Sequence, residues 1–565
     1  MAPNFIHARP TLGVLAGWQF AWTATPFSYL DPIFQGICLA AKDLGCNVLL
    51  GCGMGGWAAE HDALRTAWPI SSPESDFVPV GPWNTDGLMV ISPLHSETRS
   101  RYLQELRAAG HPLIFIGSGE LGPTIVADNR SGILEALHHL VAHGHHQIAF
   151  IAGSRDDFEG DSGERLQAYY DGVLQHGLAA DSRLIAWGQH YYATGYAAMR
   201  EILASGVPFT AVIASNDESA LGALRALREA GLRIPQDVAL IGFDDRPESA
   251  VQTPPLSSVR IPLRKLGYRA VEVLWRYLTG RAETLESNVV PVYLMARESC
   301  GCGAHAVLSS GVVRAEALTS LSPRESLVQA MTEVLLVEAQ GLARADLEAL
   351  CRRLVEAFYL SIEQDDPAAF RNALETVLHQ VALSGDDMHS WQAALSWLED
   401  MPDAPAQSWT PGTHTTAQGL IAEARIMISA AIQRQYLRRQ VQQHWTLYQL
   451  STLTTRLLTA HDAMQVYDIL AQHLPTMGIP MMWIALFEEE DADTVAWSTL
   501  QVVVPLTRGR TQPALHFRSR EFPPDSLLLA EQPFSLALFP LTSPRGQLGF
   551  VVFDTAQLDL YSAIV

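Results

Sequence analysis

Cysteine is scarce in this chain, six scattered among 565 residues, which argues against a disulfide-built scaffold and fits a reducing compartment. Basic charge is short as well: 38 lysines and arginines stand against 60 aspartates and glutamates, a formal net charge of −22. That field does not attract phosphate backbones, so no direct nucleic-acid binding by this chain is expected. No apolar run reaches the roughly 18 residues of a membrane span, and the opening MAPNFIHARP has no charged-then-apolar leader. No membrane association and a cytoplasmic location are therefore expected. Catalytic signatures are missing too: there is no phosphate-loop lysine, G-x-S-x-G elbow, H-E-x-x-H or kinase box. Neither enzyme activity nor a cofactor is expected.

What is present is the composition of a folded protein, 48% hydrophobic and 17% charged, in a chain too long for one core. Up to about residue 300, apolar strands alternate with helices: 12–16, 46–50, 87–92, 112–116, 148–152, 183–187, 210–214 and 238–242 read as strands. Apolar strands joined by helical crossovers imply parallel sheets covered on both faces. The stretch 211–245 is the most informative. Its two strands end in Ser215-Asn216-Asp217 and in Asp244-Asp245, on the carboxyl edge where open α/β sheets bind small ligands.

Five segments in order carry a resemblance: VAHGHHQIAFIAG (141–153), ERLQAYYDGVLQHGL (164–178), the 211–245 stretch, TPPLSSVRIPLRKLGYRAVEVLWRYLTG (253–280) and MARESCGC (295–302). Over residues 10–302 the chain resembles the effector-binding domain of the LacI/GalR repressors, a periplasmic-binding-protein-like type I fold. The resemblance implies α/β architecture in two lobes that close on a small molecule, with crossovers near 126–129, 248–257 and 285–289. It also implies a ligand cleft at Tyr29, Asp161, Ser162, Arg165, His190, Asp217 and Asp244. Tyr29 would cover the ligand with an aromatic face. Arg165 brings a five-donor fork, and His190 stands where a ring-stacking side chain is common. Asp217 and Asp244 end strands, although a strand-end Asp also caps the helix after it. Acids, an arginine and aromatics together favour a sugar-like effector. Family repressors carry a DNA-reading helix-turn-helix before the first sensor strand; here ten residues precede that strand, so that role is not carried over.

Two motifs compete with this reading. Gly51-Cys52-Gly53-Met54-Gly55-Gly56 satisfies G-x-G-x-x-G, but it follows the second strand rather than the first, which speaks against a dinucleotide fold. His139 and His143 have the i, i+4 spacing that can hold zinc, within a cluster that includes His138, His145 and His146. No cysteine or carboxylate near them in sequence completes a ligand set, and Cys300-Gly301-Cys302 is a single pair, so no metal is expected.

Beyond residue 302 the pattern turns helical. Ser322-Pro323-Arg324-Glu325 reads as a capping box with proline in the first turn, and a bundle is expected over 313–400. A long helix over 413–460 carries an apolar ladder that shifts phase around Leu437, Val441, Trp445 and Tyr448, a coiled-coil-like pattern that implies a homodimer. Residues 461–565 resemble a small α+β GAF domain lacking its last helix, chiefly through the strand pair FSLALFPLT (534–542) and GQLGFVVFD (546–554). The expected protein is a ligand sensor acting in transcriptional regulation or signal transduction, its closure relayed through helices to the GAF-like unit. Two alternatives stay open. One is the input portion of a sensor histidine kinase or diguanylate cyclase whose output domain is absent; the other is a nucleotide-binding enzyme using the Gly51 loop.

Overall fold

The computed structural model describes residues 5–6, 9–17, 30–54, 80–91, 97–117, 122–157, 160–179, 181–302, 322–336, 339, 342–386, 388–399, 411–488, 497–504, 515–524, 527, 533–543 and 546–555. Tyr29, expected in the cleft, lies outside them.

The first lobe is built on parallel strands β1 (Thr11–Gly17), β2 (Asn47–Met54), β3 (Gly87–Ile91), β4 (Leu113–Ile116) and β5 (Thr124–Ala127), with helices α1 (Leu30–Leu44) and α2 (Glu97–Ala108) between them. The second lobe begins with α3 (Asn129–Ala142) and continues as β6 (Ile148–Ala152), α4 (Asp161–Gln175), β7 (Ile185–Trp187), α5 (Tyr192–Ala204), β8 (Ala211–Ala214), α6 (Asp217–Glu229) and β9 (Ala239–Asp244). After the one-turn α7 (Pro247–Ala250), β10 (Ser257–Arg260) completes its parallel set. The chain then returns to the first lobe through α8 (Leu263–Leu278) and β11 (Asn288–Val290), which pairs with β5, and crosses back as β12 (Tyr293–Met295), antiparallel to β10. The second sheet thus runs β12-β10-β9-β8-β6-β7. Strands such as Leu88–Ile91 and Ile148–Ala152 are buried along their length, as a sheet covered on both faces requires.

The crossovers fall at Asp128, at 261–262 and at 291–292. The first matches the expected place. The other two lie a few residues later than expected, because the short strands β10 and β11 finish their own sheets before the chain changes lobe. Helices α1 and α8 approach closely at two glycines: a Cβ on Gly36 would strike the Arg264 carbonyl, and one on Gly267 the Ile33 carbonyl.

The helical region holds α9 (Pro323–Leu336), α10 (Arg344–Gln364), α11 (Ala368–Ser384), α12 (His389–Glu399) and the 47-residue α13 (Pro411–Leu457). The expected helix start is formed: the Ser322 hydroxyl accepts the Glu325 N–H at 3.3 Å. The first half of α13 packs Leu420, Ala424 and Ile428 into one core with Phe358, Phe370 and Trp391. Among the described residues no helix is long and apolar enough to cross a membrane.

After α14 (Ala463–His473) come antiparallel strands β13 (Met482–Phe487), β14 (Trp497–Val504), β15 (Leu515–Arg518), β16 (Ser535–Ser543) and β17 (Gly546–Asp554). The expected C-terminal unit does not stand apart. Strand β16 pairs in parallel with β2, Ser535 opposite Val48 through Leu538 opposite Gly51, which makes one 11-stranded sheet, β11-β5-β4-β3-β1-β2-β16-β17-β13-β14-β15. The Asn47 side chain accepts the Phe534 N–H at 3.3 Å, and Asn84 donates to the Phe522 carbonyl at 2.8 Å. The edge of β2 is therefore covered by the chain's own β16, which removes an exposed pairing edge.

Candidate functional site

Strands β6, β7, β8 and β9 run parallel, so their carboxyl ends share one edge of the second lobe. From that edge rise Gly153-Ser154, Gly188 to His190, Ser215 to Asp217, and Asp244-Asp245. Five non-glycine residues among those described have positive φ, and four sit here: Gln189 (52°), His190 (62°), Asp244 (102°) and Asp245 (55°). Side chains with a Cβ resist this conformation, and such strain gathers at ligand sites where the surroundings enforce it.

Arg165, one turn into α4 and almost fully buried, is the hub. Its Nε donates to the Asn129 side-chain oxygen at 2.8 Å, and its Nη1 to the Ser215 carbonyl at 2.6 Å. The guanidinium lies 3.9 Å from the centroid of the Phe243 ring. Thus fixed, it holds Asp244 at 3.7 Å and Asp161 at 4.0 Å, ion pairs longer than direct hydrogen bonds. Asp161 is 40% exposed and accepts from Asn129 at 2.9 Å.

Ser162 and His190 form the second element. The Ser162 hydroxyl accepts the Ser154 N–H at 3.1 Å and lies 2.7 Å from His190 Nε2. Burial, and then the Arg165 charge, push the His190 imidazole down to about 4, so it is neutral at physiological pH. Asn216 holds the loop by donating to the His190 carbonyl at 3.0 Å.

Asp217 has a different job from the one expected. It is fully buried, and its carboxyl group accepts from the Arg246 N–H at 2.7 Å, Ser249 at 2.6 Å and Ser258 at 2.5 Å. All of its surface is taken by protein donors, so it ties β8 to α7 and β10 behind the edge rather than meeting a ligand. Asp161, Ser162, Arg165, His190 and Asp244 do come together. Sequence reasoning missed Asn129, which bridges Arg165 to Asp161 and Glu164; its position at the first crossover was the available signal. It also missed the buried Ser215 hydroxyl, which has no hydrogen-bond partner.

The glycine motif has no phosphate-loop geometry in its described part. Gly51 is a strand residue paired with Leu15 and Leu538, where a dinucleotide fingerprint needs a tight turn. The absence of cysteine beside the histidines is corrected: the fold carries Cys300 and Cys302 to His139, with Cys302 Sγ 3.4 Å from its Nε2.

Residues 137–300 match the family described as periplasmic binding protein-like domain. The HTH-type transcriptional regulator CelR of Thermobifida fusca is 32% identical over 281 residues, 48% of this chain and 77% of that protein. The chain belongs to the LacI/GalR family. Two further LacI/GalR relatives, both from Escherichia coli K12, are the regulators AscG and GalR. AscG is 39% identical over 25% of this chain and 42% of its own length. For GalR the figures are 35%, 31% and 50%, so the chain spans half or less of these two proteins. A solved transcriptional regulator CelR–cellobiose complex is 29% identical, covering 52% of this chain and 86% of that one, with a TM-score of 0.43. CelR and GalR are both HTH-type transcriptional regulators.

Proposed function

We propose that this protein is a ligand-sensing regulator whose lobes close on a small, hydroxyl-rich, sugar-like effector. The convergence of Arg165, Asp161, Asp244 and the Ser162–His190 pair on one strained sheet edge carries the reading. Carboxylates beside a fixed guanidinium accept from vicinal hydroxyls while the guanidinium donates to their oxygens, and the neutral His190 imidazole adds a polar ring face. Tyr29 is proposed as the aromatic cover. Closure signals only to the extent that the ligand binds the closed form better than the open one. Screening sugars, nucleosides and polyols by thermal shift on the full chain is expected to return a polyhydroxylated hit. Arg165→Lys and Asp244→Asn should each weaken it about 30-fold or more, the worth of a charge-assisted hydrogen bond of about 2 kcal/mol. Wild-type affinity in both variants would end the assignment.

The effector signal is proposed to leave by two routes. One is the helical bundle and α13; the other is the β2–β16 junction into the C-terminal unit, which we read as GAF-like. Midway along α13, beyond the bundle-packed part, Leu437, Val441, Trp445 and Tyr448 are each more than half exposed at three-and-four spacing, and Trp445 stacks on Tyr448. An apolar stripe of this kind marks an interaction surface, and a second copy of the chain is the proposed occupant. Light scattering is expected to give a dimer for the wild type and a monomer for Val441→Glu/Trp445→Glu. A monomeric wild type, or a double variant that stays dimeric, would rule this seam out.

A further inference from the structure

The second lobe carries a cluster that the cleft does not use. His139 lies in the last turn of α3, and His143 caps its end. The chain returns beside them after β12 in a turn, Glu298–Cys300, closed by Gly301 at φ 96°. A left-handed residue is needed there so that the chain can reverse between the two cysteines, and glycine takes it without strain. Cys300 Sγ is 3.3 Å from His139 Nε2; Cys302 Sγ is 3.4 Å from the same nitrogen and 3.5 Å from His143 Nε2. The ligand atoms of His139, Cys300 and Cys302 all lie within 4.8 Å of one another.

We propose that His139, His143, Cys300 and Cys302 form a tetrahedral site for a zinc-class divalent cation. With metal–sulfur bonds of about 2.3 Å and metal–nitrogen bonds of about 2.0–2.1 Å, a tetrahedron has sulfur-to-nitrogen edges of roughly 3.5 Å. All three observed separations are close to that edge. Simple thiol–imidazole hydrogen bonding accounts for one pair, whereas here one imidazole meets two thiols and one of those thiols meets a second imidazole. Two thiols and two imidazoles form a borderline-soft donor set that suits zinc over magnesium or calcium. Cys302 is also where the chain leaves the sensor. The ion would staple that exit to α3, the helix whose first residue, Asn129, holds the cleft arginine.

The test is cobalt titration of the reduced, metal-stripped full chain. Tetrahedral visible bands and a thiolate-to-cobalt charge-transfer band should appear at one ion per chain and be displaced by zinc. Cys302→Ser should abolish the charge-transfer contribution of its sulfur and weaken zinc binding by more than about tenfold, the least that even outer-shell partners contribute. His143→Gln, at an exposed position, gives the same readout should the cysteine variant fail to fold; Cys351→Ser should leave the spectrum unchanged. A folded, reduced chain that gives only the pale spectrum of six-coordinate cobalt overturns the proposal. So does an unaltered spectrum in both Cys302→Ser and His143→Gln.

Discussion

Asp245→Ala is expected to lower the unfolding free energy by about 3 kcal/mol or more at neutral pH, the cost of removing one partner from a buried charge cluster. The Asp245 side chain is 2% exposed and meets two guanidiniums, Arg260 at 2.5 Å and Arg297 at 2.6 Å. Burial alone would raise its pKa, but the Arg260 and Arg297 charges outweigh burial and hold the carboxyl below the usual carboxylate range. The cluster joins three segments: the end of β9, the end of β10, and the turn that carries the sensor towards its exit. Arg297 also donates to the Leu256 carbonyl at 2.7 Å, so it is anchored and cannot swing out to water at no cost. The sign of the pH dependence follows from the depressed pKa. This contribution is fully present above the unfolded carboxylate value of about 4 and is lost as pH falls through the lower folded value. Urea midpoints at unchanged m-value should therefore separate wild type from variant at neutral pH and converge in acid. A difference below about 1 kcal/mol at neutral pH would mean the cluster behaves like an exposed ion pair.

Local pattern revealed some of this structure and hid the rest for identifiable reasons. Strands such as Leu88–Ile91 and Ile148–Ala152 were legible because burial on both faces writes an unbroken apolar run. Strand β10 was not: it reads Ser257-Ser258-Val259-Arg260, and its serines are buried only because Ser257 accepts the Arg297 N–H and Ser258 reaches Asp217 and Asp245. The same fact explains the error at Asp217. A polar residue at a strand end looks available until serines 32 and 41 positions later surround it. Distance along the chain hid the other contacts as well. His139 and Cys302 are 163 positions apart and Asn47 and Phe534 are 487 apart, and no spacing rule spans such gaps. The cleft residues came from the family resemblance rather than from local alternation, which marked only the strand ends at Asp217 and Asp244.

Raising the pH from about 4 to about 8 is expected to destabilise the wild-type chain through Asp217. Burial, then the neighbouring Asp244 and Asp245 charges, push this carboxyl up to about 8, against the hydrogen bonds from Ser249 and Ser258 that favour the charged form. The folded state then keeps a proton that the unfolded chain has released above about pH 4, so stability falls with pH across this window, by at most about 1.4 kcal/mol per unit and a few kcal/mol in all. Asp217→Asn should flatten that slope. The amide oxygen can take over the Arg246 N–H, and the amide nitrogen faces Ser258, whose hydroxyl can rotate to accept. Asp217→Ala should instead lose about 1–3 kcal/mol at every pH, since the Arg246 N–H and two hydroxyls are left buried without an acceptor. Melting temperatures of the three proteins between pH 5 and about 8.5 distinguish these cases, and a slope unchanged in Asp217→Asn would show that the proton sits elsewhere. The consequence reaches the cleft. The charges of Asp244 and Asp245 help hold the proton on Asp217, and that proton spares this end of β8 and β9 a third negative charge.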